Sequence, residues 1–497
     1  MRTSALSLIW AVAAGCVSAQ DAPLSAIDWL SDSVTAPVAV APQRPEPPVT
    51  SSAAPEMIVV TPLDRVAPDT VGLVAPSDVG LPGDLWSASS TDTIARQLAE
   101  MRTPHSAAMQ DLLHDLLRVQ AEPPRDSAGG EAFFLARVDA LLALGRFDIA
   151  RDLMARAGSE EPAIFRRWFD VTLLTGGETR ACARMRALPE ITPTYPARIF
   201  CLARSGDWPA AVVTLETARA LGVTTPAETE RLTRFLDDRN EGGLLPPPSR
   251  PTPLDFYLYE AMGEPLRTPS LPLPFAHADL RQTSGWKARI EAGERLARAG
   301  AIGHDRLWAI YAERMPAASG QLWDRVEAVQ RLDVAMRNGD PTAVTAALPG
   351  AWEAMAHVDL QPTLARRYAP RLVRLPLQGD VGDLAQRMAL MAGIEVEGLD
   401  GPLAALAKGE VPEGDPTDPM LLAIAAGLTD GPDAATKALV ADGRMGEALL
   451  HAIRLVEEGS SGNLDALSDG LADLRAAGQE DAAMRVAIEA LVIGWRR

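Results

Sequence analysis

Residues 166–222 read RRWFDVTLLTGGETRACARMRALPEITPTYPARIFCLARSGDWPAAVVTLETARALG, and their punctuation decides the fold. Thr175-Gly176-Gly177, a proline-bounded loop at 189–196 and Ser205-Gly206-Asp207 divide the stretch into four apolar segments. Glycine permits the left-handed turn that ends a helix and proline cannot continue one, so the stretch predicts four short helices. Two of them carry Cys182 and Cys201, the only cysteines beyond the first twenty residues. Cys182 lies about six residues before its helix stops at Pro189, and Cys201 about five after the next begins at Pro196. At ~1.5 Å per residue both stand roughly 7–9 Å from the same loop, on antiparallel neighbours. Side by side they can close a disulfide; the alternative is two buried thiols in a seam of small residues.

Outward from this stretch the same unit returns: an apolar helix, a glycine turn, then a second helix with a small residue five places after the glycine. The pairs are Gly145/Ala150, Gly177/Cys182, Gly206/Ala211, Gly443/Ala448 and Gly478/Ala483, with Gly339/Val344 less regular. Adjacent glycines are 32, 29 and 35 residues apart, the period of a helix-turn-helix array. Phe134, Val138 and Leu141, then Phe147, Ala150 and Met154, make one-faced helical stripes. A small residue is needed after each turn because two helix backbones approach closely there.

Gly145-Arg146-Phe147 and Gly206-Asp207-Trp208, with small residues twelve places after the glycine at Ala157, Ala218, Ala351 and Ala490, resemble the second half of a tetratricopeptide repeat. The first-helix half of that motif is not matched, so the resemblance concerns architecture over about half the chain. It implies an all-α, TPR-like α-solenoid of the bacterial cell envelope that grips protein partners.

Length and composition bound the rest. At 497 residues the chain exceeds one hydrophobic core, so several domains or an open repeat array are expected. The net charge of -19 argues against binding nucleic acid or anionic lipid through a general field. Residues 1–19 read as a secretory signal: Arg2, an apolar run at 6–14, and Val17-Ser18-Ala19 before Gln20. Cleavage there predicts a periplasmic or secreted protein beginning at Gln20, with a lipid anchor on Cys16 as the alternative. No later apolar run approaches the length of a membrane span. Export makes the oxidised Cys182–Cys201 pair the default.

Residues 20–88 hold eleven prolines and nine acidic residues against two basic ones, a composition that predicts a disordered acidic segment. Three apolar islands interrupt it and are candidate docking motifs: Asp28-Trp29-Leu30, Ile58-Val59-Val60 and Leu85-Trp86. Each serves either a partner or this protein's own helical body. N-terminal repeats then span 89–241. The proline-rich segment 242–280 reads as an ordered crossover along the helices, helical at 254–262 and extended at 271–275. C-terminal repeats fill 281–497.

Chemistry is sparse. The six histidines are scattered without metal-ligand spacing, and there is no phosphate-binding glycine loop or nucleophile elbow. The sequence therefore predicts no cofactor, metal or catalytic residue. His277-Ala278-Asp279 is the nearest approach to a dyad, with helix packing as its simpler explanation. The expected function is that of a non-catalytic scaffold or adaptor for envelope proteins. The alternative is a peptidoglycan-active enzyme with dispersed acidic residues.

Overall fold

Every residue described in the computed structural model, 67–158, 160–237, 244–413 and 417–495, lies in a helix, turn or irregular segment. No strand occurs among them; one isolated bridge joins Val74 to Val119. They belong to a single unit, Val59–Arg497. The expected signal at 1–19, Cys16, Gln20 and the motif residues Asp28, Trp29, Leu30, Ile58, Val59 and Val60 lie outside the described residues.

Among the described residues twenty-three α-helices follow one another. α1 (Thr91–Glu100) and α2 (Ala107–Arg118) come first. α3 (Ala132–Ala143) and α4 (Phe147–Ala157) turn about Gly145, α5 (Pro162–Thr175) and α6 (Glu178–Ala187) about Gly176, α7 (Tyr195–Arg204) and α8 (Trp208–Ala220) about Gly206. α9 (Pro226–Leu236), α10 (Pro253–Ala261) and the short α11 (Ala276–Asp279) lead to α12 (Trp286–Arg298) and α13 (His304–Tyr311). α14 (Gln321–Asn338) and α15 (Pro341–Ala356) turn about Gly339, before α16 (Gln361–Leu372), α17 (Gly379–Met391), α18 (Pro402–Ala407) and α19 (Pro419–Thr429). α20 (Ala434–Ala441) and α21 (Met445–Ser460) turn about Gly443, and α22 (Leu464–Ala476) and α23 (Glu480–Glu489) about Gly478.

The turn glycines hold φ between 65° and 85°, a region that costs any other L-residue strain. In the second hairpin the left-handed residue is Gly176, one place before the Gly177 that the spacing selects. Gly145 is doubly constrained, since a Cβ there would stand 3.1 Å from the Ala301 methyl. Ala150, Cys182, Ala211, Val344, Ala448 and Ala483, the residues five places on, are all buried. The disulfide Cys182–Cys201 joins α6 to α7 with its Cα atoms 5.0 Å apart. Between them the loop makes a single 3₁₀ turn, Pro189–Ile191, and Thr194 starts α7 by accepting from the Ala197 amide at 3.2 Å.

Thr252 and Asp255 form a reciprocal cap, and α10 lays Leu254, Phe256, Leu258 and Tyr259 into the core. The expectation of extended chain at 271–275 is corrected: Leu273–Phe275 is a 3₁₀ turn that runs into α11. Pro274 fixes φ near −65°, which suits the first turn of a helix as well as extended chain.

A second correction concerns residues 67–88, expected to belong to the disordered segment. Leu73 donates its amide to the Arg118 carbonyl at 2.7 Å, and Gln120 donates to Val74 at 2.9 Å. Leu85 and Trp86 are fully buried. Trp86 packs on Phe133, with centroids 5.6 Å apart, and lies so close to Gly446 that a Cβ there would fall within 2.4 Å of the indole. That pair is core, not a free docking motif. Asp69 accepts from the Phe134 amide at 2.7 Å, and the fully buried Arg137 donates to the Val71 and Val119 carbonyls.

Three apolar clusters follow among the described residues, and one of them runs across the segment bounds at 241 and 281 that the sequence suggested. One holds residues 165–262, with the disulfide inside it. A second holds 276–391. The third joins the first helices to the last, uniting Ile94, Met109, Leu113 and Phe134 with Ile453, Leu467, Val486 and Trp495. Nine of the twelve residues of α2 are buried, so this helix is surrounded by others. At its start the Glu489 carboxylate accepts from Ser106 Oγ at 2.5 Å and from the Ala108 amide at 2.9 Å. Asp111, one turn on, binds Arg366 of α16 at 2.8 Å and Arg485 of α23 at 2.5 Å.

Two outcomes follow from this packing. Replacing Cys182 and Cys201 by Ala is expected to cost about 2–4 kcal/mol in chemical denaturation while leaving helical circular dichroism intact. Two free thiols per denatured, unreduced chain would contradict the bridge. Burial pushes the Glu489 carboxyl up to about 7, against 4.5 for an exposed glutamate. The folded chain therefore holds a proton that the unfolded chain has released, so this contribution is full below pH 4.5 and is lost as pH rises through 7. Between those limits the wild type is expected to lose about 3 kcal/mol more than Glu489→Gln. Asp170 has the same sign and His114 and His277 the opposite one, so the difference between the two proteins is the quantity to measure.

Candidate functional site

The buried histidines His277 and His114 serve packing. His277 stacks on Phe147 with centroids 4.1 Å apart and contacts the Gly145 carbonyl through Nε2 at 2.7 Å. Burial lowers its pKa to about 4, so the ring is neutral and donates to that carbonyl. Asp279 instead accepts from Thr268, so His277 and Asp279 hold separate partners rather than one another. His114, lowered to about 3 by burial and by Arg146, accepts from that arginine at 3.1 Å.

Among the described residues one group has a metal-like donor set: Asp433, His451 and Asp473, with ligand atoms within 4.8 Å of one another. Its hydrogen bonds give it another role. Asp433 caps α20 by accepting from the Thr436 amide at 2.6 Å. Asp473 accepts from the Asp433 amide at 3.1 Å and from Thr436 Oγ1 at 2.7 Å. Arg454 lies 2.7 Å from His451 Nδ1. A guanidinium only donates, so Nδ1 accepts and Nε2 carries the proton, facing Asp433 Oδ2 at 3.2 Å. A metal would need the lone pair that this proton occupies. The group is a helix cap with two supports.

The arrangement with the character of a binding site lies where the turns after α5 and α7 meet α9 and α10. A cleft of about 890 Å³ is bounded by the end of α5, the start of α6, the end of α7, Trp208 of α8, Phe235 of α9, α10 and residues 280–283. The glycine turns place it, because Gly176 and Gly206 bring the first residues of α6 and α8 to the same end of their hairpins. Glu178 Oε1 accepts from Tyr257 at 2.9 Å and from Arg204 at 2.9 Å. Burial, then the Glu178 contact, push the Tyr257 phenol up to about 12. Arg281 donates to both Glu260 oxygens, at 2.7 and 2.8 Å. Trp208 is 45% exposed and packs on Phe235 with centroids 6.1 Å apart. Phe200 supports the wall from behind, 5.2 Å from Tyr257 and 6.0 Å from Phe235.

Both carboxylates are held by guanidinium groups, Tyr257 keeps its proton, and no histidine, cysteine or serine lines the cleft. It can stack and hydrogen-bond a ligand, and it has no activated nucleophile or free acid–base pair. Sequence reading singled out Trp208 as a turn residue but missed Glu178, Arg204, Phe235 and Tyr257 as a group. The one usable signal was the aromatic Phe256-Tyr257-Leu258-Tyr259 run inside a proline-rich crossover. Compared with known proteins, the chain matches no family model, no curated protein and no solved structure.

Proposed function

We propose that the protein is an exported, non-catalytic scaffold or adaptor of the bacterial cell envelope, built of TPR-like helical repeats, that holds a protein partner in the Trp208 cleft. One observation carries this reading: the cleft combines an exposed Trp208, backed by the partly buried Phe235 and Tyr257, with carboxylates already paired with arginine, a surface suited to recognition and unsuited to proton transfer. The disulfide fits an oxidising compartment. No helix among the described residues is long and apolar enough to cross a membrane.

The peptidoglycan-active alternative has its own observation. Asp170 lines a second pocket of about 300 Å³ together with Glu228 and Asp255. Burial pushes Asp170 up to about 7, while Asp255 is paired with Arg231 at 2.9 Å. A buried acid that shares a pocket with a carboxylate held by arginine is the material of a general-acid pair.

One comparison separates the two readings. The wild type, Trp208→Ala with Arg204→Glu, and Asp170→Asn are each used to capture envelope proteins and are incubated with purified peptidoglycan. The scaffold reading expects a partner retained by the wild type and Asp170→Asn and lost by the cleft variant, with no glycan released. Glycan release that disappears only in Asp170→Asn would overturn it.

A further inference from the structure

A second cleft, between α4, α5 and α6, differs from the first in charge. It measures about 350 Å³ and is lined by Arg151, Asp152 and Ala155 of α4, Trp168 of α5, and Arg180 and Arg184 of α6. Three arginines thus face one carboxylate in a chain whose net charge is -19. The surrounding stretch shares the bias, since residues 146–204 hold ten arginines and seven acidic residues. Arg184 is engaged by Glu160 at 2.8 Å. Arg180 lies over the Trp168 ring, 5.4 Å from its centroid. Neither Arg151 nor Arg180 has an ion-pair partner among the described residues.

We infer that this cleft binds an acidic peptide segment of a partner protein, with carboxylates on Arg151 and Arg180 and an apolar side chain against Trp168. Unpaired guanidinium groups at the mouth of a cleft are suited to carboxylates, which they meet bidentately at little cost in dehydration. Trp168 and Ala155 add apolar wall, which a bare anion does not use and a peptide side chain does. Charge decides against nucleic acid as the occupant: a long polyanion meets the whole -19 chain, whereas a short acidic segment meets mainly the local excess of arginine. The site is separate from the Trp208 cleft and does not depend on the reading given to it.

The test uses fluorescence anisotropy with the full mature protein. The probe is a fluorescein-labelled decapeptide of Glu and Asp carrying one Leu, compared with its Gln and Asn counterpart. The inference expects saturable binding of the acidic peptide alone, weakening as salt is raised. Arg151→Gln with Arg180→Gln should reduce affinity about tenfold or more with circular dichroism unchanged, and the Arg→Lys pair should recover part of it. Trp208→Ala should leave this binding intact. Equal binding of the neutral peptide, or an affinity unchanged in the Gln variant, would overturn the inference. So would displacement by inorganic phosphate at matched charge, which would reduce the cleft to a simple anion site.

Discussion

The carboxylate of Glu489 at the start of α2 is the contact on which the rest of the structure depends. It reaches across 383 positions to Ser106, and it meets the end of a helix where unpaired amides and the helix dipole both favour an anion. Burying that carboxylate is costly, which is why its proton is held to about 7. The cost is offset because α2 is otherwise an apolar rod inside other helices, and Asp111 fixes its register against α16 and α23. Gln110 adds a further clamp by donating to the Pro104 carbonyl at 2.7 Å and the Arg298 carbonyl at 2.8 Å. The last helices of the chain thereby complete the core of the first.

Between those joined ends each remaining cluster has its own fastening. In the second, Glu294 on α12 accepts from Tyr311 of α13 at 2.7 Å and from Arg325 of α14 at 2.8 and 2.7 Å, so one buried carboxylate holds three helices. Removing either partner would leave the other charge buried alone, which makes the group a device for register more than for net stability. In the cluster of residues 165–262 the fastening is covalent, through Cys182 and Cys201. That cluster supplies most of the lining of the Trp208 cleft, while the arginine cleft lies where its α5 and α6 meet α4.

Much of the helical pattern was legible because it depends on neighbours in sequence. The glycine turns, the small residues five places after them and the cysteine pair are all local statements, and each marks where two backbones approach. The extent of the packed body was not legible. Averaging composition over 20–88 hid Leu85 and Trp86 among prolines, and their burial depends on Gly446, some 360 positions later. Glu489 looks like any solvated acid on a helical face until α2 is placed beside it. The Trp208 cleft was hidden for the same reason: Glu178, Arg204, Phe235 and Tyr257 come from four helices, and exposure of an aromatic ring cannot be read from its neighbours in sequence.

The union of the two ends is open to direct measurement by native-state hydrogen exchange on the wild type and Glu489→Ala. If the carboxylate joins them, amides of 107–118 and of 445–489 lose protection together in the variant, while 165–262 keeps most of its own. Loss confined to 480–495, with 107–118 unchanged, would show that the two ends are stable apart and would contradict the account.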